Sequence, residues 1–481
     1  MKKAICLVAA LAMICTLAAC GSGSNTTQPT ETGSAEQTVT QAAETTENET
    51  TVKETETTAE ETTEEETTTA KLEKEFSATI EETVMVDEMG VKITATELSY
   101  NSYQAQLSVT IENNTDKKLT FLSGTMGYPI TFVNGYMVTG GYLNEDVAAG
   151  MTANETINFS LDELLLFGMK DVAEIGIGFE IKDGYEEYLK TKPAVVKTSA
   201  DAGYDYSADT FAEAMKNGAV MTLYGASIEY SSDEVIFDES GVSITNQYVA
   251  TNKDGDTLMF MEVKNDTDRD IYAAVSDIKL DGIIISSGTW DADYIAAGKR
   301  AVMSIDMENV LETEYMEALG IADNGNLGFH FEALEDDYDT EIGETDISIN
   351  SGNTAASEFS GEAIYSENNI TIMYAGLIED PSDYSNDWHA LLVIRNENDF
   401  EISIDDEDGA YVDKMKIDFT CYSVDVQPGE MALIDVELDG DDLDDNNLDI
   451  DAISEISVTF EIRDDDYKVM DQPAVTMSVS H

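Results

Sequence analysis

The feature that most limits how this chain can fold is a set of three sequence anchors that recurs three times between residues 80 and 480. The first anchor is a pair of apolar segments around a short turn, at 84–94 and 235–245, with a weaker echo at 364–372. The second is an alternating segment that ends in Asn and a polar turn, at 108–116, 261–268 and 393–399. The third is a glycine turn followed by a late Phe-Glu pair, at Gly150, Gly298 and Gly429 and then at Phe179, Phe331 and Phe460. Such recurrence predicts three similar structural units.

Within each unit, apolar and polar residues alternate, as at 107–111 and 456–462. A period of two predicts half-buried antiparallel strands. Asn134-Gly135 and Asp281-Gly282 supply the residues that tight hairpins require. About seven short strands in roughly 110 to 130 residues is the pattern of an immunoglobulin-like sandwich. We therefore predict an all-β fold of three tandem immunoglobulin-like β-sandwich domains at 79–200, 201–350 and 351–481, with a short helix at 210–216 in the linker that opens the second.

The N-terminal residues 1–20 have the layout of a secretory signal peptide. Lys2-Lys3 precede an apolar run that extends from Ala4 to Leu17, and this run is shorter than the roughly 20 residues that span a bilayer. Leu17, Ala18, Ala19 and Cys20 together resemble a bacterial lipobox. This resemblance implies that the Cys20 thiol carries the lipid and that the exported chain begins there.

Residues 21–78 are nearly all Thr, Glu, Ser, Ala and Gln. This composition offers too little apolar surface to offset the entropy of ordering, so it predicts a disordered acidic stalk. The whole chain has 25 basic and 98 acidic residues, for a net charge of −73. Nucleic acids bind clustered Lys and Arg and are excluded as partners. Anionic headgroups also repel this chain, so we expect attachment to the outer face of a cell membrane, Gram-positive by preference, through the lipid alone.

The repeats resemble the immunoglobulin-like modules of uncharacterised exported lipoproteins of Firmicutes. The likeness lies in the strand that ends in Asn with a Thr-Asp or Asn-Asp turn, ahead of an Asn-Gly or Asp-Gly hairpin. The third repeat departs from the pattern because Asn369 replaces the glycine found at Gly90 and Gly241. The resemblance implies the fold and a surface location, and it carries no catalytic residues.

Motifs for chemistry are sparse, and we expect that the protein is not an enzyme. The histidines at 330, 389 and 481 lack the pairing of a helical zinc site, and no Gly-x-Ser-x-Gly elbow is present. Ca²⁺ is the one cofactor that the sequence suggests, because hard cations bind clustered oxygens. The candidate ligands are Asp441, Asp442, Asp444, Asp445 and Asp449. The alternative is a solvated acidic loop that protects a sheet edge from other chains.

Aromatic residues are the remaining candidates for ligand binding. Tyr128, Tyr136 and Tyr142 lie close together in the first repeat and are candidates for a platform on which a sugar ring stacks. The alternative is core packing. The sequence thus predicts a lipoprotein that presents its domains for adhesion or ligand binding, with a glycan or a protein as partner. A structural envelope spacer and a calcium-stabilised surface module are the alternatives.

Overall fold

The alternating segments form strands throughout the part of the chain that the structure describes. The computed structural model describes residues 76–125, 130–253, 257–306, 313–321, 326–335, 340–349, 359, 361–380 and 386–479. This structure is 59% strand and 10% helix, with its strands in several largely antiparallel sheets. The prediction of an all-β fold is confirmed. Among the helices of the described residues, none has the length and apolar character needed to cross a membrane.

The described residues of the first repeat form twelve strands and one α-helix. In chain order these are β1 (Thr83–Glu88), β2 (Val91–Tyr100), β3 (Gln104–Asn113), β4 (Leu119–Ser123), β5 (Thr131–Val133), β6 (Tyr136–Met137), β7 (Leu143–Val147), β8 (Thr152–Ser160), α1 (Leu161–Leu166), β9 (Glu174–Ile177), β10 (Glu180–Asp183), β11 (Glu186–Lys190) and β12 (Ala194–Lys197). Two four-stranded sheets have the orders β1-β2-β3-β8 and β11-β10-β4-β7. Phe76 and Ala78 are already buried, so the fold begins slightly before the predicted boundary at 79.

The second repeat opens with a short 3₁₀ helix (Asp201–Gly203) and two α-helices. Its elements are α2 (Thr210–Lys216), α3 (Ala219–Tyr224), β13 (Ala226–Ser232), β14 (Phe237–Glu239), β15 (Val242–Asn252), β16 (Thr257–Asn265), β17 (Ile271–Leu280), β18 (Ile283–Ile295), β19 (Arg300–Asp306), α4 (Thr313–Leu319), β20 (Leu327–Glu335) and β21 (Glu341–Ile349). The Asp209 carboxylate caps α2 by accepting from the Ala212 N–H at 3.0 Å, as the sequence predicts. The second short helix, α3, was not predicted.

The third repeat also begins with a hairpin, β22 (Glu362–Glu367) with β23 (Ile370–Glu379), followed by the paired strand β24 (Trp388–Asn396). Its further elements are β25 (Ile402–Val412), β26 (Met415–Ile417), β27 (Phe419–Cys421), β28 (Val424–Val426), β29 (Met431–Leu438), α5 (Gly440–Asp445), a 3₁₀ helix (Ile450–Ala452), β30 (Glu455–Asp464), β31 (Val469–Asp471) and β32 (Ala474–Ser478). Strands β25 to β32, apart from β27 and β29, form a six-stranded sheet.

In every repeat, a tight hairpin of one kind joins the two strands of the first anchor. Both central residues have positive φ at Met89-Gly90 (52° and 81°), Ser240-Gly241 (48° and 89°) and Asn368-Asn369 (54° and 58°). A hairpin with two left-handed residues matches the twist of its strands. Asn is the residue that best replaces glycine in this conformation, because its short polar side chain tolerates it. The departure at Asn369 therefore leaves the turn unchanged.

A buried asparagine locks the strand end of each repeat to a second strand. Asn113, Asn265 and Asn396 have no exposed surface. The Asn113 amide nitrogen donates to the carbonyl oxygens of Lys117 and Val147, both at 2.8 Å. Asn265 makes the same two bonds at 2.8 and 3.0 Å, and Asn396 makes them at 2.8 and 2.9 Å. The sequence anchor that ends in Asn is thus a buried hydrogen-bonding device.

Two short parallel pairings join the repeats edge to edge. At the first joint, Tyr136 of β6 pairs with Arg300 of β19, which places both in one nine-stranded sheet. At the second joint, β18 pairs with β29 through Ile283 with Met431 and Ile284 with Ala432, within another nine-stranded sheet. Each joint uses the strand that follows a hairpin of one repeat and the start of the strand after the glycine turn of the next.

The hydrophobic cores also cross the repeat boundaries. The cluster centred on the first repeat includes Phe211 from α2 together with Tyr248 and Phe260 from the second repeat. The cluster centred on the second repeat includes Leu391 and Leu433 from the third. The linker is therefore part of a core shared by neighbouring repeats.

Adjacent asparagines give a direct test of the buried device. We expect Asn113→Ala to lower the free energy of unfolding by about 1–3 kcal/mol, because it leaves two buried carbonyl groups without a donor. Asn114→Ala, one residue away on an exposed position, should change it by less than about 0.5 kcal/mol. Urea unfolding followed by circular dichroism measures both. Equal effects of the two substitutions would contradict this role.

Candidate functional site

The first joint carries a buried charge pair. The Arg300 guanidinium lies 5.0 Å from the centre of the Tyr136 ring, and its Nη1 donates to Glu262 Oε1 at 2.9 Å. Glu262 is 1% exposed and also accepts from Asn246 Nδ2 at 2.7 Å. Burial, and then the charge of Asp209, raise the pKa of Glu262, while Arg300 opposes this change. Arg300 thus satisfies a buried carboxylate of its own repeat and covers an aromatic ring of the preceding one.

The linker helix α2 closes the joint from the side. The Thr210 hydroxyl donates to the Phe167 carbonyl oxygen at 2.7 Å, and Phe211 packs edge-on against Phe167 and Tyr248. Gly168 follows Phe167 with a φ of 75°, and a Cβ there would lie 2.0 Å from the Thr210 carbonyl oxygen. Glycine is therefore required where the end of α1 meets the start of α2.

A cleft of about 260 Å³ lies at this joint, with walls from both repeats. Its apolar walls come from the end of α1, the loop after β6 and the strands β16 and β19. The lining residues are Gly124, Met137, Val138, Thr139, Gly140, Glu163, Leu166, Phe167, Phe260, Asp293, Tyr294, Ala301, Val302 and Ser304. Two of these are carboxylic acids and none is basic. The cleft therefore combines an apolar surface with acidic and hydroxyl groups.

Glu163 is the most unusual residue of the cleft. It lies on α1 and is 1% exposed. Its Oε1 accepts from the Thr139 N–H at 2.8 Å and from the Thr139 hydroxyl at 3.0 Å. Its Oε2 is buried without a hydrogen-bond partner among the described residues. Burial raises the pKa of Glu163 to about 7, although the two bonds from Thr139 act in the opposite direction. The carboxyl group therefore titrates near neutral pH.

The charge of the same carboxyl group affects the pKa of Tyr224 of α3. Burial, followed by the charges of Glu163 and Asp162, raises the pKa of this phenol. Its hydroxyl is also buried without a hydrogen-bond partner in the described part of the chain. Glu163 thus lies in a low-dielectric region, where its charge also affects residues that are not hydrogen-bonded to it. A hydrogen-bond donor supplied by a ligand would bind strongly in such a region.

The aromatic platform suggested by the sequence is not formed by Tyr136. This residue is 2% exposed, because it is the first residue of the strand that docks at the joint, and its ring stacks on Phe167 at 5.5 Å. Tyr142 is 46% exposed, and Tyr128 lies outside the described residues. The prediction of a shared stacking face is therefore wrong for Tyr136, although this residue does lie beside the cleft.

The structure places the predicted calcium ligands on and after α5. Asp439 caps this helix by accepting from the Asp442 N–H at 2.8 Å, and Asp442 accepts from the Asp418 N–H at 2.8 Å. Across the described residues, no group of three or more His, Cys, Asp or Glu side chains is arranged to hold a metal ion. Asp441, Asp442, Asp444, Asp445 and Asp449 are thus neighbours in sequence that are not gathered around one point.

Two groups of residues remain: predicted site residues that the structure does not describe, and residues of the site that the sequence did not predict. Cys20 and the lipobox residues 17–19 lie outside the described part of the chain. Glu163, Arg300 and Glu262 were missed by the sequence analysis. Ser160 and Glu163 have the spacing of a helix capping box, so the signal at Glu163 was present but would be interpreted as a cap. Instead, the carboxylate turns to Thr139 and the cleft.

Comparison with known proteins gives no identification. No protein-family model matches the sequence, and no curated protein matches it. Similar solved structures include a protein of unknown function from Porphyromonas gingivalis, at 11% identity over 50% of this chain and 100% of that one, with a TM-score of 0.14. Others are red sea bream transglutaminase (12% identity, 64% and 38%, TM-score 0.14) and the exo-chitosanase of Amycolatopsis orientalis (9% identity, 81% and 79%, TM-score 0.15). These TM-scores carry no argument about activity.

The titration of Glu163 predicts how stability depends on pH. The folded protein holds this proton up to about pH 7, whereas the ordinary value is 4.5. Stability therefore falls as the pH rises from about 4.5 to about 7, by about 3 kcal/mol at most. We expect Glu163→Gln to remove this decline, so that its melting temperature exceeds that of the unmodified protein increasingly up to pH 7.

The control for this experiment is Glu186→Gln, which neutralises an exposed carboxylate on β11. Its difference from the unmodified protein should be small and nearly the same across the pH range. Thermal melting at half-unit steps from pH 4.5 to 8.5 measures all three proteins. A constant difference for Glu163→Gln would show that Glu163 is ionised in the fold throughout this range.

Proposed function

We propose that this protein is a lipid-anchored, extracytoplasmic binding protein whose three repeats are immunoglobulin-like sandwiches. Its ligand is a small molecule with an apolar body and an amino group, held in the cleft between the first and second repeats. The observation that carries the proposal is Glu163 Oε2, a buried carboxyl oxygen of a residue that lines this cleft, for which no described residue is a hydrogen-bond partner. An ammonium group supplies both the missing hydrogen bond and the compensating charge.

The size of the cleft favours a small molecule over a macromolecule. Its volume of about 260 Å³ lies just below the roughly 300–1,000 Å³ of pockets that bind drug-sized ligands. A few convergent polar groups on apolar walls is the usual composition of such pockets. Met137, Leu166 and Phe260 provide the apolar contact, and Thr139 and Ser304 provide hydroxyl groups.

The charge of the lining selects against anions. Glu163 and Asp293 are acidic, and none of the described lining residues is a base that would offset them. Because the whole chain has a net charge of −73, its long-range field also favours the approach of cations. A phosphate or carboxylate ligand would enter a region of like charge with no compensating donor.

Attachment to the membrane rests on the N-terminal sequence. The lipobox-like Leu17-Ala18-Ala19-Cys20 supports acylation of Cys20, and residues 21–78 support a stalk that separates the cleft from the membrane surface. The acidic body supports this arrangement as well, since it has no electrostatic affinity for an anionic membrane. Capture of ligands near the cell surface is the role that these features share.

The two joints favour a second candidate function, that of a stiff envelope spacer. Paired sheet edges and cores shared between repeats restrict the angle between neighbouring repeats. This property serves a spacer directly, and it also serves a binding protein, because the walls of the cleft belong to two repeats. A spacer has no need of a buried carboxyl group that titrates near neutral pH, and for this reason we favour binding.

Calorimetric titration with matched aromatic probes tests the proposal. We expect 2-phenylethylamine to bind and 3-phenylpropionate, which has a carboxylate in place of the amine, to give no measurable heat of binding. Binding of the amine should strengthen several-fold between pH 6 and pH 8, because Glu163 becomes ionised over this range while the amine stays protonated. Glu163→Gln should weaken binding at pH 8 and remove the pH dependence.

The exposed substitution Glu186→Gln serves as the control and should bind the amine like the unmodified protein. The proposal is wrong if the carboxylate probe binds as well as the amine. It is also wrong if Glu163→Gln binds the amine with unchanged affinity at pH 8. Absence of any heat with a wider panel of apolar amines would leave the spacer function as the better account.

A further inference from the structure

The two joints are formed by equivalent positions of successive repeats. In the repeat that precedes each joint, the contributing residue is the first one after a hairpin with two left-handed residues, Tyr136 at the first joint and Ile283 at the second. In the repeat that follows, the partner lies two residues after the glycine turn, Arg300 after Gly298 and Met431 after Gly429. Both pairings are parallel.

Each end of the array carries one half of the same contact. The third repeat has an equivalent hairpin at Asp413-Lys414, with φ values of 47° and 75°, followed by Met415. The first repeat has an equivalent glycine turn at Gly150, and Thr152 is the first residue of β8. Among the described residues, no strand pairs with the outer edge of β26 or of β8, since each is the terminal strand of its sheet.

Apolar side chains at the two open halves are more exposed than those at the internal joints. Tyr136 and Ile283 are each 2% exposed, whereas Met415, in the equivalent position, is 45% exposed. At the other end Met151, next to Thr152, is 60% exposed. Strand β8 is the terminal strand of its sheet, and strand edges and apolar side chains left open in this way are ready for pairing with another chain.

We propose that a second copy of this chain fills each open half, so that copies join head to tail. Met415 of one copy would pair in parallel with Thr152 of the next, in the register that the internal joints show twice. Such a contact is heterologous, since its two surfaces differ, and it therefore generates open chains of molecules unless the rotation closes a ring. The occupant is the chain itself, because it already contains both surfaces and joins them internally.

Charge at the open ends agrees with this pairing. Each internal joint has an ion pair across it, Glu174 with Lys299 at 3.0 Å in the first and Lys279 with Glu430 at 2.6 Å in the second. At the open hairpin Lys414 and Lys416 are exposed. At the open strand Glu112 lies opposite Thr152 in the β3–β8 register. A basic tip would thus meet an acidic neighbour, as Lys279 meets Glu430 at the second joint, whereas the signs are reversed at the first joint. Glu112 also accepts from Lys92 of its own sheet at 3.0 Å.

The net charge of the whole molecule opposes association, and this opposition predicts how assembly depends on salt concentration. Copies of net charge −73 repel each other at long range, and salt screens this repulsion within about 10 Å at 0.1 M. Head-to-tail assembly should therefore strengthen as salt rises from 0.05 to 0.5 M. Association carried by exposed ion pairs alone would weaken over the same range.

Disulfide crosslinking of the full-length chain tests the predicted register. With Cys6, Cys15, Cys20 and Cys421 replaced by Ser, the double variant Thr152→Cys with Met415→Cys should give a ladder of dimers, trimers and larger species on mild oxidation, because directly paired strand residues meet the distance limits of a disulfide. Each single variant should stop at the dimer. Mixing the two single variants should give a dimer that contains one chain of each.

A matched control pair is Tyr103→Cys with Tyr467→Cys, which are 71% and 83% exposed and belong to the first and third repeats. This pair should give at most a trace of the ladder, since Tyr103 adjoins the end of β8 opposite Thr152 and Tyr467 follows the end of β30 opposite the Asp413-Lys414 hairpin. The proposal is overturned if the double variant gives no ladder at 0.5 M salt, or if the control pair gives one of equal strength. These outcomes do not depend on whether the cleft binds an amine.

Discussion

The structure depends on how the edge of one repeat pairs with the edge of the next. The pairing at the first joint is short, a single register position between Tyr136 and Arg300, yet it is supported by the Arg300 backbone N–H, which donates to the Gly135 carbonyl oxygen at 3.1 Å. The Glu262 carboxylate then holds the Arg300 side chain in place over the ring of Tyr136. Removing one member of such a buried pair leaves the other charge without compensation, so substitution of either Glu262 or Arg300 should destabilise the joint.

The cleft is a consequence of this joint. Its walls belong to the two repeats that the joint brings together, and α2 closes the shared core beside it. Ionisation of Glu163 lowers the stability of the fold there, because burial disfavours its charged form. Buried carboxyl groups with a pKa near 7 are more frequent at functional sites than elsewhere, and a ligand that supplies a donor would recover part of the cost. The proposed function thus follows from the placement of one carboxyl group.

The sequence predicts those parts of the fold that local chemistry determines. The hairpin at Asn134-Gly135 and the capped helix that begins at Thr210 follow from turn and cap preferences of residues near each other in the chain. The anchor at Asn113 is recognisable as a repeat, but its bonds to Val147 are not, since a polar turn and a buried bridge have the same local sequence. Local pattern therefore suffices for strands and turns.

The joints and the cleft could not be predicted in this way. Tyr136 and Arg300 are separated by more than 160 residues, and no neighbouring residue in the sequence indicates that the two will pair. Tyr136 has the signature of either a core residue or an exposed aromatic, and Glu163 has the spacing of a helix cap. Only the pairing of two repeats decides between these alternatives. The low-complexity composition of residues 21–78 and the lipobox-like segment that ends at Cys20, in contrast, are recognised from the sequence alone.

The distance between spin labels on the first two repeats tests the account most directly. Labels at Tyr185, in the first repeat, and at Asp238, in the second, occupy exposed positions, and the other cysteines would be replaced. Double electron–electron resonance should give one narrow distance distribution, because the joint fixes the two repeats, and Arg300→Ala should widen it. A broad distribution in the chain with Arg300 intact would contradict a fixed joint and, with it, a cleft of constant shape.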